Sequence, residues 1–267
     1  MKIVVCVKHV PDIQSERALG EDGRVVRDGG DGTLNELDEN AVEAALVLAA
    51  GSEGTAGGSE VVALTVGPAE AVDAARRALQ MGADRAVHVS DDAVAGSDVF
   101  GTVEVLAAAI RRLGDDGPVD LVVTGMAALD GLTSLLPAAL AAALDLPQLT
   151  LATEVRVEGG EVHVRRELDS ASERLSAPLP ALLSVTDAAN APRYPNFKGI
   201  MAARTKPVEV LSLADLGVDA ARVGTAGART RIVEASPRPQ RENRVLVTDD
   251  GTAGVQLARF LVDAGLA

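Results

Sequence analysis

The chain has 267 residues, 47% of them hydrophobic, enough to bury the core of one large domain or two modest ones. Its formal charge of -14 argues against a nucleic-acid partner, because phosphate backbones are bound by positive patches. The single cysteine, Cys6, excludes an internal disulfide, no CxxC or His/Cys cluster offers a metal site, and no apolar run reaches the length of a membrane span, so a cytoplasmic protein without membrane insertion is expected.

In chain order, residues 2–10 (KIVVCVKHV) form a near-continuous apolar, β-branched run, the pattern of a strand buried on both faces. A polar, Gly-rich connection follows, with RVV at 24–26 as a small strand. NELDENAVEAALVLAAG (35–51) reads as a helix with Asn35 or Asp38 as N-cap, acidic residues in the first turn and Gly51 at its end. After the loose connection GSEGTAGGSE, strands at 60–67, 85–90 and 119–125 alternate with helices beginning at Pro68, Gly96 and Gly131, the last capped by Thr133 or Ser134. Such alternation predicts an α/β domain with a parallel sheet flanked by helices. Beyond Pro147 the pattern changes to β-rich runs joined by EGGE, a hairpin signal, and then to more strand at 173–186. The tail carries the segment NAPRYPNFKGIMAARTKP (190–207), a short helix signal SLADLGVD, the Pro/Arg segment ASPRPQREN and a final amphipathic helix. A boundary near residue 190 is expected, with a compact domain over 1–190 and an arm over 191–267.

In a parallel sheet, ligands bind beyond the carboxyl ends of the strands at the switch point. Here that means Cys6 to His9, the loop up to Asp38, TVGP (65–68) and TGMAALDGLTS (124–134). Gly67, Gly125 and Gly131 allow close backbone approach, and a helix N-terminus with Thr133 and Ser134 suits a phosphate. No P-loop and no GxGxxG fingerprint is present. His9, His88 and His163 fall on separate strand-like segments, and Cys6 reads as a small buried hydrophobe. No nucleophile, base and orienter assemble, so the chain does not read as an enzyme in its own right.

The blocks VVCVKHVPD, NELDENAVEAAL, VGPAEAVDAARRALQMGADRAVHV and LPALLSVTDAANAPRYPNFKGIMAARTKPVEVLSLADLGVD occur in this order. Together they resemble the beta subunit of electron transfer flavoprotein, FixA-like members included, over residues 1 to about 220. The resemblance implies an adenine-nucleotide-binding (HUP-like) α/β fold with a C-terminal arm. It also implies a heterodimer with an alpha subunit that supplies most of an FAD site. That pair passes electrons from partner dehydrogenases to a quinone oxidoreductase or another acceptor. In ordinary members the beta subunit holds AMP, and in bifurcating members a second FAD. The implied cofactor contacts are Cys6, Asn35, Glu36, Leu37, Asp38, Val66, Gly125, Asp130, Gly131, Thr133 and Ser134. Two departures stand out: NELD replaces the family's Asn-Pro-Phe-Asp/Cys, placing Leu37 where an aromatic approaches the flavin, and LDGLTSLLP lacks the family's Gln and following Gly.

The resemblance further implies that the 190–207 segment meets partner proteins through Arg193, Tyr194, Phe197, Lys198, Ile200 and Met201. Phe197 takes the anchor position and Arg193 and Tyr194 hold the base. Two other readings stand beside it. A stand-alone nucleotide-binding regulator of the universal-stress type would carry a late Gly-rich phosphate loop, and an adenylating pyrophosphatase would carry SGGxDS after the first strand; neither motif is found.

Overall fold

The computed structural model describes residues 1–15, 18–27, 30–51, 58–234, 236, 239–240 and 245–267. The Gly-rich connection at 52–57 and most of ASPRPQREN lie outside the described residues. Two compact units are present, Met1–Val233 and Glu234–Ala267.

The first unit is built on a sheet of seven strands, all parallel. Along the chain the elements are β1 (Lys2–Cys6), β2 (His9–Pro11), β3 (Gly32–Leu34), α1 (Glu36–Gly51), β4 (Glu60–Val66), α2 (Val72–Met81), β5 (Arg85–Val89), α3 (Val99–Leu113), β6 (Leu121–Gly125) and α4 (Leu136–Leu144). They continue with β7 (Gln148–Ala152), β8 (Glu154–Glu158), β9 (Glu161–Leu168), β10 (Ala171–Pro178), β11 (Ala181–Val185), α5 (Phe197–Ala203), β12 (Val208–Leu211), the single turn α6 (Gly224–Gly227) and α7 (Ala253–Asp263). The sheet order is β12-β5-β4-β1-β6-β11-β7. From β1 the chain runs outward through β4 to β5 and then returns to β6 on the other side, so the switch point lies at the β1–β6 pair.

Both faces of the sheet are covered, which is why its strands are apolar almost throughout. On one face Ile3, Val5, Val61, Ala63, Leu121 and Val123 pack under α1 and α2, whose inward residues Ala41, Ala45, Ala74, Ala75 and Ala78 are fully buried. On the other, Val4, Leu64, Val87 and Val122 pack under α3 and α4. The EGGE hairpin forms as read, and β8, β9 and β10 make a three-stranded antiparallel sheet that turns Val155, Val157, Val162, Val164, Leu175 and Ala177 onto the first core. The run at 173–186 therefore divides between two sheets, β10 antiparallel and β11 parallel in the main sheet.

Three sequence expectations change. The compact unit runs past the boundary expected near residue 190, because β12 pairs in parallel with β5 and buries Leu211 and Leu213 in the second core. SLADLGVD, just after that strand, is a turn rather than a helix. Finally, α4 starts at Leu136 with no side-chain cap, so neither Thr133 nor Ser134 caps it. Pro137 in its first turn defines the start instead, with φ already helical and no amide to satisfy.

Among the described residues no helix is long and apolar enough to cross a membrane. In the second unit, α7 leaves Val255, Leu257, Phe260 and Val262 more than half exposed. Since every strand of the main sheet precedes Val233, a chain ending there should melt cooperatively within about 3 °C of the full-length protein, roughly the shift that 1 kcal/mol produces in a domain of this size. A larger drop in a calorimetric scan would show that the last 34 residues, 234–267, belong to the folding unit.

Candidate functional site

The carboxyl ends of β1, β4 and β6 and the first turn of α1 converge at the switch point. Asn35 is fully buried and ties three segments together. Its amide donates to Lys8 O at 2.9 Å, its Nδ2 donates to Ala127 O at 2.9 Å, and its Oδ1 accepts from the Leu129 amide at 3.0 Å. The side chain that the sequence reading assigned to capping α1 is thus spent on the loop after β6, while its carbonyl accepts from the amides of Asp38 and Glu39. Asp38 lies inside the first turn, buried, and accepts the Lys8 amide at 2.9 Å.

Gly125 is required by the chain itself. A Cβ there would stand 2.5 Å from Asp38 Oδ1 and 2.7 Å from Leu37 O. The glycine admits the first turn of α1 rather than a ligand. Gly67 similarly faces the Ala71 methyl, whereas a Cβ on Gly131 would meet only Thr133 Oγ1, at an ordinary 3.8 Å. Cys6 is buried, and desolvation, reinforced by the nearby Asp38 charge, pushes its thiol up to about 12, so it is an inert hydrophobe. Beside it on β6, facing the same side of the sheet, Thr124 buries a hydroxyl with no hydrogen-bond partner among the described residues. His88 is also buried, its Nε2 3.1 Å from Gly67 O, and takes a structural place.

Asp130 anchors the charged part of the cleft. Its side chain is fully buried, with Lys8 Nζ at 3.0 Å from Oδ1 and 2.8 Å from Oδ2, and Arg27 Nε at 2.6 Å from Oδ2. Burial alone would raise this carboxyl, but the two cations outweigh it and hold it below the ordinary carboxylate value. Lys8 and Arg27 keep about two-fifths of their side chains exposed. The sequence reading placed Lys8 within the Cys6–His9 segment without naming its charge, and missed Arg27. Lys8 had a signal, as the first charge after an apolar strand; Arg27, in a Gly-rich connection, had none. The loop that follows, Gly131 to Leu135, is exposed, and Leu132 takes a φ of 50°, a left-handed conformation that non-glycine residues rarely adopt. The amides of Gly131, Thr133 and Leu135 have no acceptor among the described residues. Two half-exposed cations, these amides and the exposed Thr133 and Ser134 hydroxyls can hold an anion ahead of α4. Glu36 is exposed, and Leu37 and Val66 are half-buried at the rim.

The second region is the 190–207 segment. Tyr194 and Phe197 are 86% and 79% exposed, and Ile200 and Met201 share the outer face of α5 with Phe197 at helical spacing. Lys198 is exposed beside them. Arg193 forms a forked pair with Glu43 of α1, while the Arg77 guanidinium lies 5.1 Å from the Tyr194 ring centre. Lys206 ends the segment by donating to Leu79 O and Gly82 O at the C-terminus of α2, where a cation opposes the helix dipole.

Burial raises the Asp38 carboxyl from its ordinary 3.8 to about 7, against the opposing pull of its Asn35 and Lys8 contacts. A carboxyl whose folded value is raised contributes stability fully below its unfolded value, and that contribution is lost as pH rises through about 7. The thermal midpoint should therefore fall as pH rises from about 4 to about 7 and level off above that, by an effect on the order of a few kcal/mol, and Asp38→Asn should flatten that fall. An unchanged pH profile in the variant would assign the dependence to another group.

A family model for the electron transfer flavoprotein domain matches residues 22–216. Electron transfer flavoprotein subunit beta of Mycobacterium bovis is 44% identical over 266 residues, 97% of each chain. The Megasphaera elsdenii subunit beta is 33% identical over 260 residues, 96% of this chain and 95% of that one. Subunit CarD of the caffeyl-CoA reductase-Etf complex of Acetobacterium woodii is 33% identical over 262 residues, 98% and 97% of the two chains. The chain belongs to the electron transfer flavoprotein beta-subunit family.

Proposed function

We propose that this chain pairs with an electron transfer flavoprotein alpha subunit, and that the pair carries electrons from partner dehydrogenases to a quinone oxidoreductase or another acceptor. FAD, held largely by the alpha subunit, supplies the redox chemistry. The observation that carries this reading is the braced, exposed apolar face of residues 194–201, on a domain whose switch-point cleft presents Lys8 and Arg27 beside Asp130. A carrier must dock and release several proteins, and a small pre-ordered apolar face with flanking cations at Lys198 and Arg204 suits such brief contacts. The unit 234–267, with the exposed apolar side of α7, supplies contact area for the alpha subunit.

In the same reading the cleft holds the phosphate of an adenine nucleotide, AMP, ahead of α4. Lys8 and Arg27 offer positive charge with Asp130 as their common anchor, Thr133 and Ser134 offer hydroxyls, and the unpartnered Thr124 hydroxyl and Cys6 line the adjoining wall. Asn35 to Asp38 and Gly125 set the position of that wall. Asp130 thus serves as the organiser of two cations rather than as a carboxylate turned to the ligand.

Co-expression with the alpha gene should give a yellow heterodimer, and a colourless, monomeric chain would favour the stand-alone regulator. The mass of nucleotide released on denaturation separates AMP from a second FAD. Lys8→Met combined with Ser134→Ala should at least halve that nucleotide content with the fold intact; stoichiometric retention would move the site elsewhere. Phe197→Ala should leave the thermal midpoint and flavin content unchanged while kcat/KM with a partner dehydrogenase drops about tenfold, the equivalent of about 1.4 kcal/mol. An early-melting variant with normal transfer would make Phe197 a packing residue.

A further inference from the structure

α5 packs on α2 and buries Ala203 in the first core, and the segment that leads into it is held by a few polar contacts, of which a single carboxylate makes the most. Glu43, in the second turn of α1, has a side chain only 10% exposed. It accepts three hydrogen bonds from one residue: the Arg193 amide at 3.0 Å and Nε at 2.7 Å on Oε2, and Nη2 at 3.0 Å on Oε1. Burial would raise this carboxyl, yet Arg193 holds it below its ordinary value. One turn earlier, Asn40 and Asn190 exchange bonds, Asn40 Nδ2 to Asn190 O at 2.9 Å and Asn190 Nδ2 to Asn40 O at 3.0 Å. Past Arg193 the chain has four residues to Phe197. There Asn196 caps α5 by accepting the Gly199 amide at 2.8 Å, and Gly199 lies so near Gln80 O that a Cβ would stand 2.6 Å from it.

We propose that Glu43 is a positioning residue for partner docking, fixing Arg193 in both main chain and side chain so that Phe197, Ile200 and Met201 are presented in one orientation. This rests on the reading of the 190–207 segment as the docking surface. The geometry distinguishes Glu43 from the other braces. Asn40 holds only the entry of the segment, and Gly199 and Lys206 hold only α5 and the exit, whereas Glu43, together with the buried Pro195, holds the path from Asn190 to Phe197. A forked guanidinium–carboxylate pair restricts direction as well as distance. A partner meeting the segment already ordered avoids the entropy of ordering it. Removing the brace therefore weakens encounter and leaves the electron-transfer step within the assembled complex unchanged.

The test uses the heterodimer and a purified flavoprotein dehydrogenase from the same organism that reduces the wild-type pair. Glu43→Gln and, as the gentler change, Arg193→Lys are compared with Phe197→Ala. Glu43→Gln should raise both the KM for the heterodimer and the calorimetric Kd for the dehydrogenase about tenfold, with kcat within about twofold and reduction by dithionite unaltered. Arg193→Lys, which keeps the charge but loses the fork, should reproduce part of that rise, and the double variant should add little to Glu43→Gln. A Phe197→Ala effect on KM and Kd without any from Glu43→Gln or Arg193→Lys would overturn the proposal while leaving the docking reading in place. No effect from any of the three variants would overturn both. A rise with Glu43→Gln but not Phe197→Ala would support Glu43 and transfer the anchor role to Ile200 or Met201.

Discussion

The first turn of α1 can sit against the end of β6 only because Gly125 has no side chain. From that seat the helix reaches both regions that matter. Its N-terminus shapes the cleft through Asn35 and Asp38, and its second turn holds the 190–207 segment through Asn40 and Glu43. A shift of this helix would disturb the cleft wall and the outer segment together. The glycine, which in the sequence suggested close approach of a ligand, is a packing device whose consequences extend along the first two turns of a helix.

Charge in this acidic chain is organised by burial. Three carboxylates near the functional regions are buried and take different states for identifiable reasons. Asp130 has two cations within hydrogen-bond distance and is held ionised; Glu43 has the forked Arg193 and is held ionised; Asp38 has only amide-type donors and the more distant Lys8 charge, and burial dominates. The two ionised groups place positive side chains: Lys8 and Arg27 at the cleft, Arg193 at the base of the segment. Buried negative charge thereby localises positive charge in a molecule whose overall balance is -14.

Much of this was legible in the residues. The alternation of apolar runs with capped, Gly-terminated helices gave the parallel sheet, and EGGE gave its hairpin. What the sequence hid was long-range pairing. VEVL, four residues long and half exposed, carries too little pattern to be read as a strand, and its pairing to β5, with the Arg193–Glu43 pair and the burial of Leu213, brings residues 191–233 into the first unit. Thr133 and Ser134 looked like caps because they stand before an apolar run, but Pro137 decides where that helix starts. The cleft segments were located correctly as strand ends, yet the cation Arg27 that serves them was not, since an ion pair between Arg27 and Asp130 spans 103 positions and leaves no local trace.

The aromatic residues show how composition and surface are linked. The largest fully buried side chains are Ile3, Leu64, Leu79, Leu121, Leu140, Leu149, Leu182 and Leu183, all aliphatic, and the helix faces against the sheet are lined with alanine. Such faces bring helix and sheet close together and leave no room for a ring. The chain's three phenylalanines and one tyrosine are accordingly outside the core: Phe100 is half-buried under Arg229, Tyr194 and Phe197 stand on the 190–207 segment, and Phe260 lies exposed on α7. Large rings left in water oppose the hydrophobic term that stabilises the fold, so their placement is not explained by the stability of this chain alone. A close-packed aliphatic core has excluded the aromatics from the interior, and the surfaces where they remain are those best suited to a second protein.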